Sequence, residues 1–219
     1  MENARCGPGA FCGLLLALTL PGCGPAQHGA PTDGQLSGGR YTNSFFGFAL
    51  TVPPAWSVAP EEVLQQIQRA NNQPLTGVGH DRDLKRRIEF AAQDSHQLLL
   101  LSKKPWASAT NSNPSLIVGA EHLSHLAGVR TGRDYLAHLS RLLANSTLPY
   151  QPSGALVEVR LAGRTFARLG FIAKIGNQTL RQDYLATIDQ GYVLVFILSA
   201  GPQADFLRLE QAIQSLRFR

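Results

Sequence analysis

Tyr192-Val193-Leu194-Val195-Phe196-Ile197-Leu198 decides the fold. In an extended chain, alternation puts Val193, Val195 and Ile197 on one side and Leu194, Phe196 and Leu198 on the other, so both sides are apolar. Such a strand needs cover on both faces and belongs near the middle of a sheet. The expected fold class is therefore α+β, a three-layer α/β/α sandwich around a mainly antiparallel sheet.

The pattern extends in both directions from this strand. Strands at about Leu156 to Leu161, Arg164 to Ile175 and Gln178 to Ile188 precede it. Turns at Ala162-Gly163, Gly176-Asn177 and Asp189-Gln190 link the four into an antiparallel meander. After it, Phe206, Leu209, Ile213 and Leu216 form the stripe of a closing helix, with Arg217-Phe218 as an added edge pairing. Upstream, Thr131-Gly132-Arg133-Asp134 reads as a capping box opening a helix to about Asn145, with Tyr135, Leu139, Leu142 and Leu143 toward the core. Gln97 to Ser102 and Ser115 to Leu123 read as strands, and Glu61 to Asn71 and Asp81 to Gln93 as helices.

The first strands come from Tyr41 and then Phe48, Leu50 and Val52 at period two, joined through Asn43-Ser44 and stopped by Pro53-Pro54. The order Tyr41-x-Asn43, aromatic, Gly47-Phe48, alternating strand, proline, Trp56 resembles the opening of the PsbP-like superfamily, in particular its bacterial lipoprotein branch. The meander, closing helix and Ser215-Leu216-Arg217-Phe218 finish resemble the same pattern, over roughly residues 38 to 219. The resemblance implies the fold. It implies activity poorly, because the superfamily includes a photosystem II extrinsic protein and a nuclear-import factor that binds the GTPase Ran, and no site residue of either carries over to this chain.

Residues 1–22 have the parts of a secretory leader: Arg5, the apolar run Ala10 to Leu20, and small Gly22 before Cys23. Leu20-Pro21-Gly22-Cys23 resembles the bacterial lipoprotein box, with Pro21 departing from the residue usual at its place. The resemblance implies a lipid on Cys23 and anchorage to a membrane of the cell envelope. Two or three acyl chains anchor stably where one does not. Residues 23–39, rich in Gly and Pro, read as a flexible tether, and 40–219 as a single domain. Cys6, Cys12 and Cys23 are the only cysteines, which excludes disulfides, a cysteine nucleophile and a thiolate metal site from the domain.

The formal charge of +5 is modest. Its densest run, Lys85-Arg86-Arg87, is neutralised by Asp81, Asp83 and Glu89, so no nucleic-acid partner is expected. The chain has no G-x-S-x-G, H-E-x-x-H or phosphate-loop pattern, and neither catalysis nor a cofactor is expected. His122, His125, Asp134 and His138 are the metal candidates. His122-x-x-His125 and Asp134-x-x-x-His138 have ligand spacing, so a metal-dependent hydrolase stays open as an alternative. A carrier of a small hydrophobic ligand, with a pocket between sheet and helices, is a second alternative. Arg164, Phe166 and Arg168 share a strand face beside Arg181 and make a candidate protein-docking surface. A protein partner in the envelope is the favoured reading.

Overall fold

Strand β10 (Tyr192–Ala200) lies fourth of seven in a wholly antiparallel sheet. The computed structural model describes residues 30–71, 95–105, 113–144, 150–175 and 177–219. Cys23, the leader, the expected helix Asp81 to Gln93 and its basic run lie outside the described residues. The large sheet has the order β4-β5-β6-β10-β9-β8-β7, formed by β4 (Ser57–Val58), β5 (Ser95–Ser102), β6 (Ser115–His122), β7 (Tyr150–Leu161), β8 (Arg164–Ile175), β9 (Gln178–Asp189) and β10. The meander β7 to β10 is as expected, and β10 then pairs with the whole of β6, from Tyr192 opposite His122 to Ser199 opposite Ser115.

Each face of β10 is covered by a different layer. Val193 packs with Ala167, Leu169, Phe171 and Ala186 beneath α2 (Gly132–Ala144), whose Leu136 is fully buried there. Leu194, Phe196 and Leu198 face the larger core with Phe206, Leu209 and Ile213 of α3 (Gln203–Gln214). That side carries a second sheet as well, order β1-β2-β3-β11, formed by β1 (Gly34–Ser37), β2 (Arg40–Asn43), β3 (Phe48–Thr51) and β11 (Arg217–Phe218). The third layer is thus a composite of one helix and a small sheet. Phe48 of that sheet meets Phe196 edge-on at 5.6 Å.

The expected starting motif has physical work at each position. Asn43 is buried; its side-chain NH2 donates to Pro31 O at 2.8 Å and its oxygen accepts from Phe46 N at 2.9 Å, which closes the β2–β3 connection. The Tyr41 hydroxyl donates to Leu98 O at 2.8 Å and so ties the small sheet to β5. Burial pushes that phenol up to about 12.

Two boundaries and one buried face differ from expectation. β1 lies inside the stretch read as a tether, so the ordered chain starts earlier than residue 40. All four of its residues are exposed, and only backbone pairing with β2 marks it as a strand. β7 starts at Tyr150 rather than near Leu156, because Pro152 and Gly154 are accommodated on a sheet edge with a register slip before Val157. On α2 the residue that reaches deepest is Leu136, with Tyr135, Leu139 and Leu143 beside it, whereas Leu142 stays outside that cluster. Helix α1 (Glu61–Asn71) matches its expected bounds.

Candidate functional site

The arginines expected to form a docking face instead seal the larger core. Phe166 is fully buried, opposite Val159 on β7 and 6.0 Å from Phe196, so it offers nothing to a partner. This corrects the expectation, and the reason is that β8 turns this face inward under α3. Arg168 reaches from β8 to Asp183 on β9 through Nε at 2.8 Å, and through its terminal nitrogen to Asp183 and to Glu210 of α3 at 2.7 Å. Arg181 also bonds Asp183 and lies over the Phe206 ring at 3.9 Å. Arg164 pairs with Asp189 at 2.8 Å and covers the Phe218 ring at 3.7 Å. Burial works against the Arg168 charge, but Glu210 and Asp183 outweigh it and hold the guanidinium above its usual value.

These contacts clamp α3 onto the sheet, and Lys103 adds a second clamp to Asp205 through both carboxylate oxygens at 2.8 and 2.9 Å. Asp183→Ala removes the carboxylate that two guanidiniums share, leaving Arg168 with Glu210 and Arg181 with the Phe206 ring. Removing one partner of a fully buried pair costs about 3–5 kcal/mol. Here water still reaches Arg168 and Arg181, whose side chains are 30% and 41% exposed. The expected loss is therefore about 2 kcal/mol, read as a lower urea midpoint with an unchanged slope.

Of the histidine group the structure describes the side chains of His122, Asp134 and His138, and that of His125 lies outside the description. His122 Nδ1 accepts from Ser124 N at 3.2 Å, capping the short turn Leu123–His125, and its ring sits edge-on to Tyr192 at 4.8 Å. Asp134 is the far half of the expected capping box: its Oδ2 accepts from Thr131 N at 2.9 Å, while Asp134 N donates to the Thr131 hydroxyl at 3.1 Å. The Arg130 backbone N–H and the Thr131 hydroxyl hold its carboxyl below the usual range. His138 lies exposed on α2, and among the described residues no three His, Cys, Asp or Glu side chains converge on a point.

Two features carried no motif. One is an open cleft of about 690 Å³ between β1, α1 and β5. Its floor includes Tyr41, Leu98 and Leu99, while Asp33, Glu61 and Gln65 give it a polar rim. The four-leucine run pointed to buried β5, but the cleft needs the β1 pairing that the tether reading hid. The other is the exposed edge strand β7, whose Val157-Glu158-Val159-Arg160-Leu161 alternation was legible only as a strand.

No family profile matches this chain, and no curated protein does. Solved structures are similar to it. LpqN, involved in cell envelope biogenesis of Mycobacterium tuberculosis, is 17% identical, with 87% of this chain and 86% of that chain covered and a TM-score of 0.45. A cyanobacterial PsbP (CyanoP) from Synechocystis sp. PCC 6803 is 13% identical, with 91% of this chain and 99% of that chain covered and a TM-score of 0.43. The chain is thus similar to a PsbP and to an envelope protein, and neither likeness assigns it a ligand, a partner or a reaction.

Proposed function

We propose that this chain is a lipid-anchored, non-catalytic module of the cell envelope that binds a protein partner at the membrane surface. The observation that supports it is how soon after Cys23 the fold begins. Ala30 to Asp33 already form a turn, with Ala30 N donating to the Asp33 carboxylate at 2.8 Å and Asp33 N to Ala30 O at 2.9 Å, and β1 follows at Gly34. Seven residue steps separate Cys23 from Ala30 and span at most roughly 25 Å. A domain held that closely acts on partners at the membrane rather than across the envelope.

Metabolic labelling with a fatty-acid analogue tests the anchor. Wild type should take the label and sediment with membranes, and Cys23→Ala should do neither; label persisting in Cys23→Ala would contradict the reading. Cross-linking in native membranes should then trap a defined protein partner. The cleft favours one second reading, a carrier of a small hydrophobic ligand, because Leu98 and Leu99 lie on its floor. Saturable binding of a fluorescent long-chain probe to the purified protein would support the carrier against the protein-binding module.

A further inference from the structure

β7 is the outermost strand of the large sheet among the described residues. The Ala162-Gly163 turn has both residues at positive φ, 50° and 80°, a two-residue hairpin that makes Leu161 and Arg164 a hydrogen-bonded pair. Alternation from that pair turns the backbone groups of Leu161, Val159 and Val157 toward β8 and those of Arg160 and Glu158 outward. The first half of the strand is closed to a neighbour. Pro152 has no N–H, pairing with β8 slips between Ser153 and Val157, and the Arg133 guanidinium takes the Leu156 carbonyl at 3.1 Å. Val157-Glu158-Val159-Arg160-Leu161 is the segment left able to pair.

We propose that this segment pairs with the same segment of a second copy of the chain, antiparallel about a two-fold axis through Val159. Outward-turned residues must face outward-turned residues, so the register moves in steps of two. The neighbouring registers put Glu158 opposite Glu158, or Arg160 opposite Arg160, and like charges opposed across strands are unfavourable. The register centred on Val159 sets Glu158 of each copy opposite Arg160 of the other. The same alignment puts Val159 against Val159, and Val157, 44% exposed in the single chain, against Leu161 of the second copy. Val159 and Leu161 already lean on the larger core, so the pairing extends an apolar surface that one copy leaves unfinished. The contact is isologous and closes as a dimer, with no free repeat for a filament. Five residue pairs make a small interface, which molecules confined to one membrane populate better than dilute ones. The pairing itself does not depend on the lipid anchor.

Cys6, Cys12 and Cys23 all precede the folded part, so Val159→Cys places the one thiol within it and reports the register once the dimer formed by the wild-type chain under the same oxidation is subtracted. Facing residues of a non-hydrogen-bonded pair have Cα atoms about 4.5 Å apart, within disulfide reach. Mild oxidation of envelopes carrying the full-length Val159→Cys chain should yield about tenfold more disulfide dimer than Leu207→Cys, an exposed position on α3. Adding Glu158→Arg should cut that yield about tenfold, and adding Arg160→Glu to it should restore the dimer. A Val159→Cys yield no higher than that of Leu207→Cys overturns the proposal, as does a dimer indifferent to Glu158→Arg. Loss of the fatty-acid label with the cross-link intact would count against the anchor alone.

Discussion

Phe196→Ala is expected to lower stability by about 4 kcal/mol, the cost of emptying a fully buried aromatic site. The ring is fully buried on the central strand, 5.6 Å from Phe48 of the small sheet and 6.0 Å from Phe166 of β8. Those neighbours sit on separate strands of two sheets, so they cannot collapse together into the space without breaking the pairing that holds them. Since domains have about 5–15 kcal/mol in total, the variant stands near the limit of folding. Urea unfolding is the readout. Leu207→Ala, at an exposed α3 position, should stay within about 0.5 kcal/mol of wild type. A loss below about 1 kcal/mol for Phe196→Ala would show that the small sheet does not cover this face of β10.

Gly132→Ala is expected to cost about 3 kcal/mol, against the usual gain from replacing glycine in a helix. A Cβ at Gly132 would overlap the Ala186 carbonyl oxygen and stand 2.6 Å from its carbon and 3.2 Å from Thr187 N, all backbone atoms of β9. Backbone in the middle of a sheet cannot swing aside as a side chain can. The first turn of α2 must lift instead and pull Leu136 from its site. Gly119 is the internal comparison. A Cβ there meets only Val195 Cγ1 at 3.5 Å and His96 O at 3.6 Å, ordinary contacts, so Gly119→Ala should be neutral or stabilising by about 0.5 kcal/mol. Equal unfolding midpoints for the two variants would contradict the close approach of α2 to β9.

What the sequence made legible follows from how strongly each segment is buried. β10 and the meander are two-sided or regularly alternating, and their periodicity survives in the residue order. The closing helix is equally plain, since Phe206, Leu209 and Ile213 are all buried on it; Leu216, expected on the same stripe, is buried just past its end. β1 is invisible in composition because Gly34, Gln35, Leu36 and Ser37 bury nothing and join the sheet through backbone alone. On the arginine face Phe166 turns into the core, and the arginines around it pair within the chain. A guanidinium over an aromatic ring has the same residue pattern whether it awaits a partner or seals the protein's own core. Glu210, forty-two positions from Arg168, decides between them, and no local pattern shows that contact. The histidines likewise had ligand spacing, but local hydrogen bonds to Ser124 and within the Thr131–Asp134 box claim His122 and Asp134.

The anchor is the central claim, because it fixes where the domain works and how far it reaches. Mass spectrometry of the first peptide of protein purified from native membranes tests it most directly. The account predicts a mature chain starting at Cys23, with a diacylglyceryl thioether on the sulfur. A chain that keeps its leader, or starts elsewhere with an unmodified Cys23, would contradict it.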